Sequence, residues 1–314
     1  MAREVKKSRP KTAGASNGRV RKLTKKQSKA KARKEVSKRR PLPSSFRLAG
    51  RSYTTIRNNW RVLGGIVLVY LLLNVIFASG ISNVSSSFSS IKSDINGHGI
   101  GRALGGFLGL IGSSGASGSA TGGTLQSILF VLESLVIIWA LRHLLSDQKI
   151  TVKQAWYNSM TPLIPFLLVI LVIIIQLLPV TIGAVVLSVV SQSVFVNSGL
   201  ASAVSIIALV LMAIWSAYMI CSSIFAFYIV TLPQMQPRQA LRSAKELVVF
   251  RRLLVLRKIL FLPVVVLVVM AAIIVPLILW ATWFVPYAFY ILSMLAILFV
   301  HTYLYSLYRS LLDD

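Results

Sequence analysis

The stretch LIPFLLVILVIIIQLLPVTIGAVVLSV at residues 163–189 decides the fold class of this chain. It contains no charged side chain, and Gln176 is its only amide side chain. About 20 mostly apolar residues in a helix, at 1.5 Å per residue, cross a hydrocarbon core of about 30 Å. The stretch therefore predicts a transmembrane helix.

Five other runs share this composition, and the whole chain agrees with them. Of its 314 residues 55% are apolar and only 13% are charged, and the mean hydropathy is +0.74. Soluble domains carry roughly 25% charged residues, so a soluble fold is excluded. We predict an all-α, polytopic transmembrane bundle of about six helices, at residues 62–79, 125–144, 163–189, 203–230, 259–283 and 286–308.

Positive charge is concentrated at the beginning of the chain. Lys and Arg number 34 against 8 acidic residues, and twenty-one of these 34 cations lie in the first 61 residues. This composition predicts a disordered polybasic tail at residues 1–45, followed by a transmembrane domain at 46–314. Within that domain we predict a Ser/Gly-rich external loop at 80–124 and an amphipathic segment at 237–258.

The distribution of cations also predicts the orientation of the chain. Cationic connections resist translocation, so the side with the excess of Lys and Arg is cytoplasmic. Placing both termini inside leaves only Lys92 and Arg102 outside. We therefore expect a multi-pass protein of the cell membrane with cytoplasmic N- and C-termini.

A short motif recurs in front of the predicted spans. Lys153-Gln-Ala-Trp-Tyr-Asn-Ser-Met precedes the third span, and Arg238-Gln-Ala-Leu-Arg-Ser-Ala-Lys precedes the fifth. A looser third copy is predicted at residues 52–61, before the first span. Each copy precedes an apolar hairpin on the same side of the membrane, so the chain is predicted to contain three parallel units of one interfacial helix and one hairpin.

This repeated pattern of Gln-Ala-Trp or Gln-Ala-Leu with a serine nearby, an amphipathic stretch and a hairpin resembles poorly characterised bacterial membrane families. These six-helix families are related to the membrane domain fused to some glycerophosphodiester phosphodiesterases. The resemblance covers roughly residues 45–310 and implies an integral membrane role with no assigned reaction. The phosphodiesterase catalytic domain has no counterpart in this sequence, and the polybasic tail lies outside the pattern.

Glu133 is the residue at which an activity could reside, because it falls near the middle of the second predicted span. A carboxylate there costs about 2.5 kcal/mol or more unless it is paired or protonated. One interpretation is an intramembrane polar cluster that binds a cation, a proton or a polar solute. The alternative is a protonated Glu133 that hydrogen-bonds to Gln176 and only fixes helix packing. The predicted cluster contains Glu133, Gln126, Gln176, Asn74 and Ser216.

Cationic residues outside the spans predict contacts with anionic lipid. The tail is expected to bind lipid; nucleic acid or ribosomal RNA is the alternative ligand, and a purely topogenic role is the third interpretation. Self-association or contact with other membrane proteins is a further option, because Ala213, Ala217 and Cys221 permit close helix approach. The predicted headgroup contacts are Arg238, Arg242, Lys245, Arg251, Arg252, Arg257 and Lys258.

Signatures of enzymes are nearly missing from the sequence. It has no phosphate-binding glycine loop, no His-Glu-x-x-His and no paired-cysteine metal motif, so no catalytic residue, metal or cofactor is assigned. The sequence favours a non-enzymatic membrane scaffold or accessory factor of bacterial type, docked to anionic lipid by its tail. The alternative is a transporter or channel that uses the polar cluster around Glu133.

Overall fold

The computed structural model describes residues 42–78, 120–193, 199–233, 235–249, 251–280 and 282–312. These residues are almost entirely helical and include no β-strand. The α-helices are, in chain order, α1 (Ser45–Asn58), α2 (Trp60–Ala78), α3 (Ala120–Leu144), α4 (Val152–Ser159), α5 (Leu163–Ser193), α6 (Gly199–Ser223), α7 (Ala226–Ile229), α8 (Pro237–Val248), α9 (Arg252–Trp280) and α10 (Val285–Leu312). A short 3₁₀ turn at Thr282–Phe284 joins the last two.

Six of these helices, α2, α3, α5, α6, α9 and α10, are long and apolar enough to span a membrane. Their outer surfaces are apolar as well: Ile164 is 73% exposed and Trp215 is 69% exposed. Soluble proteins rarely expose continuous apolar surface on this scale. The prediction of a six-helix, multi-pass membrane bundle is therefore confirmed.

Some predicted segments lie partly or wholly outside the described residues. The tail at 1–45 is described only from residue 42, and the external loop at 80–124 only from residue 120. Residues 120–124 of that loop are helical, because α3 begins at Ala120. The first transmembrane hairpin therefore has a longer second helix than the run of apolar residues predicted.

The long helices pair as three hairpins, and a short helix precedes each of them. Hairpin 1 is α2 and α3, hairpin 2 is α5 and α6, and hairpin 3 is α9 and α10. Helices α1, α4 and α8 precede them in that order. Because each hairpin crosses the membrane twice, the three short helices lie on one side, which we call the short-helix face.

The three short helices share a register of burial. In each, the residues four and eight positions after the N-cap are fully buried, and these are Leu48 and Ser52, Ala155 and Ser159, and Ala240 and Ala244. The predicted correspondence between the copies at residues 153 and 238 fits this register. A third short helix does precede the first hairpin, but its predicted position at residues 52–61 is wrong: α1 begins at Ser45, so residues 52–61 straddle the junction of α1 and α2.

The glutamine of the repeated motif has a structural role in α4. Gln154 N donates to Thr151 Oγ1 at 3.3 Å, and Thr151 N donates to Gln154 Oε1 at 3.1 Å. This reciprocal capping box satisfies two backbone donors that a helix start would otherwise leave unpaired. Pro237 occupies the first position of α8, where a missing N–H has no cost.

Two of the short helices, α4 and α8, pack on the hairpin that precedes each of them in the chain. Helix α4 contacts α2 and α3, and α8 contacts α5 and α6. Helix α1 has no preceding hairpin, and it packs on α10 of the last one. The Phe46 ring also lies 5.0 Å from the Phe261 ring of α9. The three units are therefore joined in a closed circuit, in which the first short helix is held by the last hairpin.

Cationic side chains join the units at the short-helix face. Arg142 Nη1 donates to the Thr231 carbonyl at 2.7 Å, and Arg309 Nη1 donates to the Leu145 carbonyl at 2.8 Å. Both carbonyls follow the ends of helices, where backbone acceptors lack intrahelical partners and a positive charge is favourable. These cations therefore stabilise contacts between hairpins.

Candidate functional site

Glu133 lies near the middle of α3 and is fully buried. The hydroxyls of Tyr70 on α2 and Tyr290 on α10 are close enough to its carboxyl group for electrostatic interaction. Among the described residues neither carboxyl oxygen makes a hydrogen bond, and no basic side chain compensates the charge. A buried carboxyl without a partner is costly and marks this region as a candidate site.

Other polar groups around Glu133 are also incompletely bonded. Asn74 is fully buried one turn along α2 from Tyr70, and its amide lies close to the Tyr70 hydroxyl. Within the described part of the chain, the Asn74 amide atoms and the Tyr290 hydroxyl have no hydrogen bond of normal geometry. We call Tyr70, Asn74, Glu133 and Tyr290 the polar cluster. Such groups are rare in protein interiors and suggest a place where a ligand or water is bound.

His301 on α10 approaches the same region and was not among the predicted site residues. Its Nε2 atom lies 3.1 Å from Ser134 Oγ. The Ser134 hydroxyl donates to the Phe130 carbonyl at 2.8 Å, so its oxygen accepts from the imidazole. That assigns the proton of a neutral His301 to Nε2. The Nδ1 atom is then an acceptor, and it has no hydrogen bond to any described residue.

A cavity of about 650 Å³ lies between the hairpins, beside the polar cluster. Pockets that hold drug-sized ligands measure about 300–1,000 Å³. Tyr70 lines the cavity and neighbours Glu133, so the carboxyl group lies behind its wall. All three hairpins contribute to the wall, mostly with apolar side chains. Its polar members are Gln126, Ser127, Ser134, Ser293 and His301.

The structure divides the set of residues that the sequence predicted as one cluster, namely Glu133, Gln126, Gln176, Asn74 and Ser216. Gln126 lines the cavity and Asn74 lies close to Tyr70, which neighbours Glu133, but Gln176 and Ser216 meet each other, where Ser216 Oγ donates to the Gln176 carbonyl at 3.0 Å. The proposed hydrogen bond between Glu133 and Gln176 is wrong, since neither side-chain oxygen has a partner among the described residues. Ile170 lines the cavity, and six further residues at 100° each turn Gln176 about 120° away from it.

The predicted headgroup cations differ in their exposure. Arg238, Arg242, Lys245 and Arg257 are exposed, and Arg242 also pairs with Glu246 at 3.1 Å. Arg251 is partly buried.

Arg252 and Lys258 make contacts within the bundle. Arg252 Nη1 donates to the Tyr218 hydroxyl at 2.7 Å, and its guanidinium lies over the Tyr218 ring. Lys258 is buried and donates to the Pro43 carbonyl, so its assignment as a headgroup contact is wrong. Its side chain instead anchors the segment before α1 to α9.

Metal-binding chemistry finds no support in the described ranges, where no group of three or more His, Cys, Asp or Glu residues converges. His143 stacks on Trp139 with ring centroids 3.7 Å apart, and Cys221 is buried. His98 lies outside the described residues. No protein-family model, no curated protein and no solved structure matches this chain. The membrane bundle and the cavity beside Glu133 are therefore the basis on which a function is proposed.

Proposed function

We propose that this protein is a membrane carrier that binds a solute in the cavity and uses the Glu133 carboxyl group to recognise charge. The observation that supports the proposal is a buried carboxyl that has no hydrogen-bond partner among the described residues and lies beside a cavity of about 650 Å³. Solute sites of many carriers lie near the bilayer midplane, between structural repeats. Glu133 falls near the middle of its helix, and the cavity wall is built from all three hairpins.

A purely structural role gives a poorer account of Glu133. A buried acid that only packs should have a hydrogen-bond partner, because an unpaired polar group in an apolar environment costs about 1–3 kcal/mol. The fifth predicted span has no polar counterpart to Gln176 of the third, and this difference between matched units speaks against a transporter. In the structure the polar wall comes from α3 and α10 instead, through residues such as Ser134 and His301.

The proposal is tested by the accessibility of the cavity to water. Ser293→Cys, made in a Cys221→Ser background, places one thiol on the cavity wall. In proteoliposomes a carrier that alternates between two open states should let this thiol react with a membrane-impermeant thiol reagent from each side in turn. Ser146→Cys, at an exposed position, is the positive control, and Ala140→Cys, at a fully buried position outside the cavity wall, is the negative control.

The outcome separates the carrier from the scaffold. Reaction of Ser293→Cys from both sides supports alternating access. Reaction from one side only would mean that the cavity is a one-sided binding pocket, and labelling no faster than that of Ala140→Cys would mean that it is closed. Either result would overturn the carrier proposal.

The second candidate function is a scaffold docked to anionic lipid. It is favoured by the outer face of α8, where Arg238, Arg242 and Lys245 are exposed while Ala240 and Ala244 are buried against the bundle. We propose that this face and the polybasic tail lie on the cytoplasmic side, and that both attract anionic lipid.

Vesicle binding tests the scaffold. A peptide of residues 1–42 should bind anionic vesicles, and added salt should weaken that binding because surface attraction is screened within about 8 Å at physiological ionic strength. Equal binding to neutral vesicles would contradict the lipid role. Stronger binding to RNA than to anionic vesicles at the same salt concentration would assign the tail to nucleic acid instead.

A further inference from the structure

We infer that the solute of this cavity is an amphipathic monocation, of the class of bulky hydrophobic amines and their quaternary analogues. This inference rests on the proposed carrier function and names the class of solute. The juxtaposition that carries it is the buried carboxyl of Glu133 beside a cavity whose wall is mostly aromatic and aliphatic and, among the described residues, contains no Lys or Arg.

The charge of the solute follows from the charges around the cavity. No Lys or Arg of the described ranges lines the wall, so an anionic solute would lose its hydration without gaining the counter-charge of a permanently cationic side chain. Within the described ranges the only acidic residues are Glu133, Asp147 and Glu246. Asp147 and Glu246 are exposed at the short-helix face, which leaves the Glu133 carboxyl, behind the Tyr70 part of the wall, as the acidic group nearest to the cavity among the described residues. One buried negative charge favours a solute with one positive charge.

Aromatic side chains supply the second feature of a cation site. Phe130, Phe166, Phe227, Phe289 and Tyr70 all line the cavity. The negative face of an aromatic ring attracts a cation within about 6 Å, most strongly where water is excluded, and quaternary ammonium ligands are recognised in this way. The same rings bury the apolar body of an amphipathic solute.

The hydrogen bonds already made by two hydroxyls of the wall disfavour a strongly polar solute. The Ser134 hydroxyl donates to the Phe130 carbonyl, and the Ser293 hydroxyl donates to the Tyr290 carbonyl at 2.7 Å. Neither hydroxyl is therefore free to donate to a ligand. A polyhydroxylated solute would leave several of its own groups unpaired in the cavity, at a cost of about 1–3 kcal/mol for each group. A solute with one charge and a large apolar surface avoids that cost.

Tetraphenylphosphonium and tetraphenylborate provide the test, because they have nearly the same shape and apolar surface but opposite charge. Equilibrium dialysis with the full-length protein in lipid nanodiscs should detect saturable binding of the phosphonium and none of the borate. Glu133→Gln should weaken phosphonium binding by about tenfold or more, since it removes the counter-charge from a desolvated site. Glu246→Gln is the matched control and should leave that binding unchanged, because Glu246 is exposed on α8.

A second measurement does not depend on the folding of a Glu133 variant. In the Ser293→Cys protein, which keeps Glu133, the phosphonium should slow the reaction of the thiol and the borate should not. Two results would overturn the inference that the solute is a monocation. One is saturable borate binding equal to phosphonium binding, and the other is undiminished phosphonium binding by a folded Glu133→Gln protein. If Ser293→Cys reacts from both sides but the phosphonium neither binds nor protects, the solute class is wrong and the carrier stands. If Ser293→Cys does not react from both sides and the phosphonium neither binds nor protects, the carrier function and the solute class are both wrong.

Discussion

His301 Nε2 lies 3.1 Å from Ser134 Oγ, and this contact joins α10 of hairpin 3 to α3 of hairpin 1 at the cavity wall. Ser134 is adjacent in sequence to Glu133, so the same contact holds the part of α3 that carries the buried acid. Hydrogen bonds between transmembrane helices contribute about 0.6–2 kcal/mol each. The pair therefore both stabilises the bundle and positions the imidazole ring at the cavity.

Removing the serine hydroxyl should destabilise the protein. Ser134→Ala leaves both imidazole nitrogens of His301 without a partner among the described residues, at a cost of about 1–3 kcal/mol. Ser222→Ala is the control, because the Ser222 hydroxyl has the Met219 carbonyl of its own helix as its one hydrogen-bond partner in the part of the chain that the structure describes. Thermal unfolding of the two purified variants checks the prediction. Equal Tm values would mean that the contact with His301 contributes nothing.

Gly65 allows α2 to approach the start of α4 closely. A Cβ atom added at Gly65 would lie 2.7 Å from Val152 Cγ2, which is closer than carbon atoms normally approach. Gly65→Ala should therefore lower Tm, because overpacking costs about 1–3 kcal/mol. Combining it with Val152→Ala should restore part of the loss, since the smaller side chain leaves space for the new methyl group.

Gly50 is the matched control for Gly65. It lies in the exposed middle of α1, and nothing lies within 4 Å of a Cβ added there. Gly50→Ala should raise stability by about 0.5–1 kcal/mol through helix propensity alone. If Gly65→Ala were as stabilising as Gly50→Ala, α4 would not be packed on hairpin 1 as the structure has it.

Arg142 should contribute to stability as well as to orientation. Arg142→Met keeps much of the apolar side chain but removes the donor to the Thr231 carbonyl, which joins hairpin 1 to the end of hairpin 2. A hydrogen bond to a charged group contributes about 1.5–3 kcal/mol, so Tm should fall by several degrees. Arg242→Met is the control and should change stability by no more than about 0.5 kcal/mol, because its ion pair with Glu246 is exposed.

Periodic features of the molecule could be predicted from its sequence. The six spans follow from apolar runs, and the correspondence of Lys153 with Arg238 predicted the equivalence of α4 and α8. The third copy was predicted in the wrong register. Helix α1 shares with α4 and α8 the burial of equivalent positions, Leu48 and Ser52, but it lacks their Gln-Ala sequence.

Contacts between distant parts of the chain could not be predicted in this way. Lys258 resembles any cation at the end of a span, but its partner, the Pro43 carbonyl, lies 215 residues away in sequence. His301 is one of several polar residues in α10, and only the packing of α10 on α3 brings it to Ser134. The position of Gln176 about 120° from the cavity face of α5 could have been derived from helix geometry, but only after that face was known.

The orientation of the chain in the membrane is tested with single cysteines in a Cys221→Ser background. Ser146→Cys lies in an exposed turn after α3, and Ser117→Cys lies before that helix, outside the described residues. Because one transmembrane helix separates them, an impermeant reagent should label Ser117→Cys from outside intact cells and Ser146→Cys only after lysis. Labelling of both positions from one side would contradict the six-helix topology.

Glu133 itself gives the sharpest distinction between a structural and a functional acid. If it hydrogen-bonded to Gln176, Glu133→Leu would leave that amide unpaired and destabilise the protein. The structure gives the carboxyl oxygens no partner among the described residues, so we expect the opposite result. Glu133→Leu should raise the free energy of unfolding by about 1–3 kcal/mol, because it removes an unsatisfied buried group of similar size.

Glu133→Gln should leave stability almost unchanged, since an amide has the shape of a protonated carboxyl group. Unlike the carboxyl group, the amide cannot ionise to supply a counter-charge. Tm values in detergent and solute binding in nanodiscs, measured on the same preparations, check both variants. If Glu133 is functional, Glu133→Leu should be more stable than the wild-type protein, and both variants should lose solute binding. This is the trade-off between stability and function expected at a site that keeps a destabilising group. A Glu133→Leu protein that is less stable than Glu133→Gln would show that the carboxyl has a packing partner, and the acid would then be structural.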